Sequence, residues 1–336
     1  MRGKRPAYRR LIALGCCAAL LAMGPVLSPA QGPAKEPQAD TVRFPLPASV
    51  LNKPFRFADE VIPLQRPDVH YRILCHMNFL LMDARGVLTE WLTEKARYSW
   101  IFEELFAKEG LPRDMVLLAP VIASLNASPS PRGASAGWWA LTSPCTAAEG
   151  VDMTQDSWHD DRLDLELSTR CFAARMKSIR KELGDQGWLM SVAAYVTSVK
   201  TVQDLRTRWG ASNFWDLPLP DLAEDIITRW IAFTLIDANR QNYGLRFTPP
   251  PPLTFDQVSG ILLAKDLPVG EIARFTGSPP REILGLNPKI KVTQPILPAR
   301  VGGKPFAHAV AAPKGKGQAL VEHLAKQGYL AQPAKP

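Results

Sequence analysis

Histidine is scarce in this chain, with five in 336 residues. His70, His76, His159, His308 and His323 follow no metal-ligand spacing such as His-Glu-x-x-His, so the sequence predicts no metal. It predicts no cofactor either. Cysteine is equally sparse, with five in all, two of them (Cys16 and Cys17) near the N-terminus. Removal of that region leaves Cys75, Cys145 and Cys171, an odd number that permits one disulfide and one leftover thiol. Cys145 with Cys171 is the expected pair; the alternative is three buried, unpaired cysteines. Acidic residues are absent from the first thirty positions, which carry Arg2, Lys4, Arg5, Arg9 and Arg10. The tail from 271 to 336 holds ten Lys/Arg against three acids, so the formal +8 belongs to the two ends and leaves residues 31–270 at −4. A basic stripe on the central region is therefore missing, which argues against a nucleic-acid partner. No second apolar run after the leader is long enough to cross a bilayer.

What is present begins with that leader. A basic stretch through Arg10 precedes an apolar run from Leu11 to Leu27. Ser28-Pro29-Ala30 then puts small residues at −3 and −1 of a cut after Ala30. This is the pattern of a secretory signal peptide over 1–30, and it predicts a periplasmic protein. Contact with a membrane is expected only through the leader, if it stays uncleaved. Hydrophobic residues make up 46% of the chain, enough for a packed core.

Residues 31–67 read as an extended, proline-punctuated lead-in. Helical spacing begins near Tyr71 and defines a domain over 68–246. Tyr98, Ile101, Phe102 and Leu105 mark one face of a helix over 91–109, closed by Gly110. Residues 114–125 are apolar almost all round, as a central helix is. A loop over 126–137 and a short helix over 136–148 follow. Leu165, Phe172, Met176, Ile179 and Leu183 mark an amphipathic helix over 163–183, and further helices are expected over 188–199 and 221–237. Pro249-Pro250-Pro251-Pro252 centres a stiff linker over 247–255. An α/β appendage over 256–300 has two short helices and a strand near 295–299. A basic, weakly structured tail over 301–336 ends in a helix. The expected fold class is mainly α with this small α/β appendage.

Five ordered segments carry a resemblance: Gly110-Leu111-Pro112 with Leu117-Leu118-Ala119-Pro120-Val121; Ser135-Ala136-Gly137-Trp138-Trp139; Asp161-Arg162-Leu163-Asp164 with Ser168-Thr169; Trp188 to Tyr195; and Phe214 to Pro220. Over residues 95–245 the chain resembles the lytic transglycosylase family, a goose-lysozyme-like helical fold. Leu267 to Ala273, Ile283 to Pro288 and Ile296 to Ala299 resemble a LysM-like glycan-binding repeat; the alternative is a small helical appendage packed on the main domain.

The resemblance implies a single catalytic carboxyl group. It protonates the glycosidic oxygen and then acts as base while the sugar's C6 hydroxyl closes an anhydro ring, which calls for a raised pKa. The family's Glu-Ser pair falls on Ile122 and Ala123. Its Gln after Gly-x-Trp falls on Ala140, its Asn on Val196 and its late Tyr on Ile226. Residues that build the core remain, while polar cleft residues are replaced. The family motifs leave Trp138, Trp139 and Tyr195 as glycan-contact candidates through aromatic stacking; the alternative is that Trp139 and Tyr195 belong to the core, and for Trp139 the core is favoured. Asp114 is the sole acid on the central helix, eight residues back, about 12 Å away. Glu149 is the candidate relocated acid. The expected function is an exported pseudoenzyme that binds peptidoglycan glycan strands or an envelope protein. The alternatives are an active transglycosylase with a relocated acid and a scaffold that binds no glycan.

Overall fold

The computed structural model describes residues 44–123 and 135–331. The leader, Cys16, Cys17, residues 31–43, most of the loop over 126–137, the side chain of Ala123 and residues 332–336 lie outside the described residues.

The described chain is mainly α. It opens with a helical turn, α1 (Ala48–Leu51), and a hairpin of β1 (Phe55–Phe57) and β2 (Glu60–Ile62). The extended reading of 31–67 is thus corrected for its second half. Leu46, Phe57, Ile62 and Leu64 bury themselves in the helical core, while the prolines between them break any regular pattern in the sequence.

The helical body then runs through α2 (Pro67–Met82), α3 (Arg85–Glu109), α4 (Leu118–Ala123), α5 (Leu165–Glu182), α6 (Trp188–Val196), α7 (Val199–Trp209) and α8 (Asp221–Ala238). Each boundary has a local cause. Pro67 supplies a preset φ at the start of α2. Gly110 takes the left-handed conformation that ends α3. Asp164 caps α5 by accepting from the N–H groups of Glu166 and Leu167, and Ser198 caps α7 by accepting from Thr201. That cap divides the single helix expected over 188–199 and starts α7. The segment before α4 is a 3-10 turn over Arg113–Leu117, so the central helix is shorter than its apolar run.

Helix α8 occupies the middle of the body. Ile227, Trp230, Ile231, Phe233 and Ile236 are all fully buried. Trp230 Nε1 donates to the Asp114 carbonyl at 2.9 Å, and Asp114 Oδ2 accepts from the Ala58 N–H at 2.8 Å, which ties α8 and the hairpin to one turn. Glu60 of the same hairpin accepts from the Leu189 N–H at 2.8 Å at the start of α6. Burial raises its pKa, against the hydrogen bonds of Leu189 and Trp188.

A second core follows the prolines. β3 (Phe255–Leu262) pairs antiparallel with β8 (Ala307–Pro313), with a bulge between Val258 and Ile261. Between them lie β4 (Leu267–Pro268), α9 (Val269–Thr276), α10 (Pro280–Leu286), β5 (Ile296–Leu297), β6 (Arg300–Val301) and β7 (Lys304–Pro305). α11 (Gly317–Lys326) packs on this sheet. The weakly structured reading of 301–336 is therefore corrected as far as residue 331. Ala311 and Ala312 give no strong apolar signal, yet both are buried and suit the tight packing between a sheet and short helices. Asn287 holds the unit together: its amide donates to Ile283 and Ala311 carbonyls, and its Oδ1 accepts from the Ala311 N–H at 2.8 Å.

The proline segment lies against the helical body. Leu253 N–H donates to the Arg97 carbonyl, and Trp100 Nε1 donates to the Leu253 carbonyl at 3.2 Å. The other tether is the loop before α5. Lys291 and Asp160 N–H groups bond the Trp158 and Lys289 carbonyls, and Lys289 Nζ pairs with Asp164 at 2.7 Å. Trp158 itself belongs to the second core. Among the described residues no helix is long and apolar enough to cross a membrane.

Candidate functional site

The segment expected as a short helix over 136–148 is instead a tight turn, bridged by Ala136 and Leu141 and followed by a 3-10 turn over Ala147–Glu149. Gly137 explains the difference. Its φ is +75°, and a Cβ there would sit 2.0 Å from the Arg162 carbonyl oxygen. Ala140 also has positive φ, at 47°. A helix admits neither conformation.

Arg162 pins this turn from below. It is buried and forms a two-pronged pair with Asp160, at 3.0 Å from Nε and 2.7 Å from an η nitrogen. Its other η nitrogen donates to the Leu141 carbonyl at 3.2 Å. Cys145 and Cys171 form a disulfide that holds the far end of the turn to α5. Cys75 is free and exposed.

Ala140, Glu149, Arg175, Tyr195 and Ser198 converge on a cavity of about 560 Å³ between this turn, α5 and the α6–α7 junction. Tyr195 is half-buried and donates its hydroxyl to the Trp139 carbonyl at 2.6 Å. Burial pushes its pKa well above the ordinary tyrosine value. Its oxygen therefore orients the turn and stays protonated.

Glu149 is the sole carboxylate among the described residues lining the cavity. Arg175 Nε bonds it at 2.9 Å, and the Thr146 N–H bonds its other oxygen at 2.9 Å in a capping box. The Arg175 hydrogen bond, set against partial desolvation and helped by Thr146, holds its pKa below the ordinary glutamate value. A general acid needs the opposite shift. In this arrangement Glu149 is a cap paired with Arg175, which does not supply the raised pKa that the relocated-acid reading needs.

Trp139 takes the core alternative. It is fully buried, stacked on Phe172 at 4.2 Å between ring centres, and its Nε1 donates to Thr169 Oγ1 at 2.9 Å. No face is left for a sugar. Trp138 is 3% exposed, with Tyr98 and Phe102 against its ring, so it offers no stacking platform in this cavity.

Ile122 is half-buried on α4 and packs against the apolar core. Ile226 is buried in α8, and Val196 is half-buried against the same core. None of the three is among the residues lining the cavity. Asp161 receives bonds from the Thr154 N–H and hydroxyl at 2.9 and 3.0 Å. Burial opposes its ionisation, but His159 and Thr154 outweigh that and lower its pKa. Among the described residues no group of three His, Cys, Asp or Glu side chains is placed to hold a metal ion.

Arg175 is the residue sequence reasoning missed. It grips the Ser143 and Pro144 carbonyls as well as Glu149. Its one sequence signal is its place four residues after Cys171, on the same side of α5.

No protein-family model matches the sequence. Two curated proteins are similar to it, both named membrane-bound lytic murein transglycosylase D, from Escherichia coli strain K12 and Escherichia coli O6:H1 strain CFT073. Each is 24% identical over 198 residues, 57% of this chain and 42% of the relative. The chain is distantly related to the lytic transglycosylases. It spans less than half the length of the relatives it matches. In this lytic transglycosylase-like domain the cavity is bordered by the turn after Gly137 and the Tyr195 segment, the two family motifs named above.

Proposed function

We propose that this protein is an exported, murein-associated pseudoenzyme of the cell envelope, which holds glycan strands or an envelope partner without cutting the glycan. One observation carries this reading. Ile122, where the resemblance places the family's acid, packs on apolar core, and Glu149, the one carboxylate lining the cavity among the described residues, is paired with Arg175, which lowers its pKa. A side chain with no proton cannot protonate a leaving oxygen, and a carboxylate with a depressed pKa keeps none near neutrality. The relatives' names, which specify murein and a membrane-bound enzyme, support the glycan partner and the envelope location.

The test incubates the purified chain with isolated sacculi. Retention in the pellet without release of anhydro-muropeptides is expected. Failure to sediment with sacculi rules out glycan holding. Release of anhydro products that stops in Glu149→Gln restores an active enzyme with a relocated acid. Crosslinking that recovers an envelope protein and no glycan favours the scaffold.

A further inference from the structure

Helix α2 buries one face in the helical core and leaves the opposite face bare. Val69, Ile73, Met77 and Leu80 are buried. Tyr71, Cys75, Phe79 and Met82, spaced by four, four and three residues, are all exposed. Residues at that spacing line one strip of a helix. The outer face of a surface helix ordinarily carries charged or polar residues. Here all four are uncharged, and Tyr71 is 67% exposed. Leu222, 57% exposed, stands on the neighbouring α8, one turn before the Asp225 that meets His76. Apolar surface on the order of a few hundred Å² in one place marks an interaction site.

The strip is symmetric about Cys75. An aromatic residue stands four positions before it (Tyr71) and another four positions after it (Phe79). Two copies of α2 packed antiparallel about a two-fold axis at Cys75 would bring each Tyr71 against the partner's Phe79. Cys75 is the free thiol among the described residues, and this packing puts the two copies of it together on the axis.

The charges beside the strip follow the same symmetry. Arg72 pairs with Glu224, His76 meets Asp225, and Arg229 lies over Phe79, so α2 and α8 run in the same direction. The Tyr71 end carries Asp68, Asp221 and Glu224 against Arg72, while Arg66 and Asp216 pair with each other there. The Phe79 end carries Arg85 and Arg229 against Asp83. One end is net acidic and the other net basic. Antiparallel pairing sets the acidic end of each copy on the basic end of the other. A two-fold contact of this kind is self-complementary and closes after two copies. A lipid surface suits the face less well, since membrane-docking helices carry a basic polar face and acids dominate one end here.

We propose that the exposed face of α2 is a homodimer interface, in which two copies of this chain pair antiparallel through Tyr71, Cys75, Phe79 and Met82. The inference uses no part of the murein reading. The contact is at the small end for specific interfaces, near about 1,200 Å² in total. The expected Kd is therefore on the order of micromolar.

The test uses the full chain carrying Cys16→Ser and Cys17→Ser, which leaves Cys75 as the free thiol. Analytical ultracentrifugation is expected to show a monomer–dimer equilibrium. Tyr71→Glu, at a solvent-exposed position, is expected to raise the dimer Kd at least tenfold and leave the Tm of the dilute monomer unchanged. Oxidation by diamide is expected to link the dimer through Cys75. Register is tested in the Cys75→Ser background: Tyr71→Cys chains mixed with Phe79→Cys chains are expected to cross-link to each other. Neither should link to itself, because like residues on the two copies lie about 12 Å apart along the helices, beyond the reach of a disulfide. A chain that stays monomeric at about 100 μM, far above a micromolar Kd, overturns the proposal. So does a dimer indifferent to Tyr71→Glu, or self-linking of Tyr71→Cys without the mixed product. A monomer that binds phosphatidylglycerol vesicles through Tyr71 assigns the strip to a membrane, and a monomer whose Cys75 captures a different envelope protein assigns it to that protein. Either result overturns the homodimer.

Discussion

At the scale of single residues, the turn at Gly137 is where this chain tolerates least. The glycine meets two requirements at once, a positive φ and contact of its Cα side with the Arg162 carbonyl. Backbone is what a new Cβ would strike, so no side chain can swing aside. Arg162 cannot retreat either, because its guanidinium is held by Asp160 and by the Leu141 carbonyl. Gly137→Ala is expected to destabilise the fold by at least about 2 kcal/mol, strain of the size that forced backbone conformations carry. Chemical denaturation should show a lower midpoint with an unchanged slope. An unaltered midpoint would mean that the turn can open without loss, and the cavity would not be preformed. Ala140, three residues on, has positive φ without glycine's freedom, so the turn stores strain there as well.

Helix α5 and the turn packed on it are joined by several devices, among them the disulfide, Arg175 on the Ser143 and Pro144 carbonyls, Glu149 on Arg175 and Trp139 on Thr169. The cysteines are 26 residues apart. Closing a loop of that length restricts the unfolded chain by about 3 kcal/mol. Cys145→Ser with Cys171→Ser is expected to lower stability by about that amount in equilibrium unfolding. Hydrogen exchange should rise first in residues 140–150, because Arg175 must then carry more of the hold on that stretch. Protection unchanged over that stretch would show that the side-chain bonds suffice. Long helices such as α3, α5 and α8 were legible because each presents one apolar face to a large core, and that face recurs every three to four residues. The sheet was not. β8 buries alanines, whose small side chains give no alternation, and β3 exposes Gln257 and Ser259 to a groove instead of to a core. Family motifs placed Ala140 and Tyr195 near one site, but the state of Glu149 depended on Arg175, which arrives from another element. Trp139 sits on a cleft motif but reads better as core, and the fold supplies the partner the sequence could not name, Phe172 stacked on its ring.

The whole molecule has two apolar cores, and each encloses a histidine that resists protonation. His76 lies between α2 and α8, with Asp225 at 3.3 Å and Arg229 also near. His308 lies in β8, bonded to the Pro298 carbonyl at 2.8 Å, with Lys289 and His159 close by. Desolvation is the main cause in both, and Arg229 adds to it at His76 as Lys289 and His159 do at His308; Asp225 and Pro298 pull the other way without prevailing. Each folded-state pKa is therefore below the unfolded value of about 6.5. The sign follows from linkage: as pH falls past the unfolded value, the unfolded chain takes up protons first, so folding stability declines until the folded pKa is passed. Glu60 acts in the opposite sense, since its raised folded pKa favours the fold as pH drops further, toward the glutamate range. Between pH 7.5 and 5.5 the histidines should dominate, lowering Tm on the order of a few degrees. The two cores make the effect separable. His76→Gln should reduce the pH dependence of the helical body and His308→Gln that of the sheet unit. Because the Asp156–Asp164 loop and the proline segment bond both units, one calorimetric transition is expected at pH 7.5. Two transitions that move apart on acidification would show that these tethers, including Lys289 with Asp164, do not couple the cores, while a Tm that holds steady to pH 5.5 would mean that neither histidine is buried against its proton.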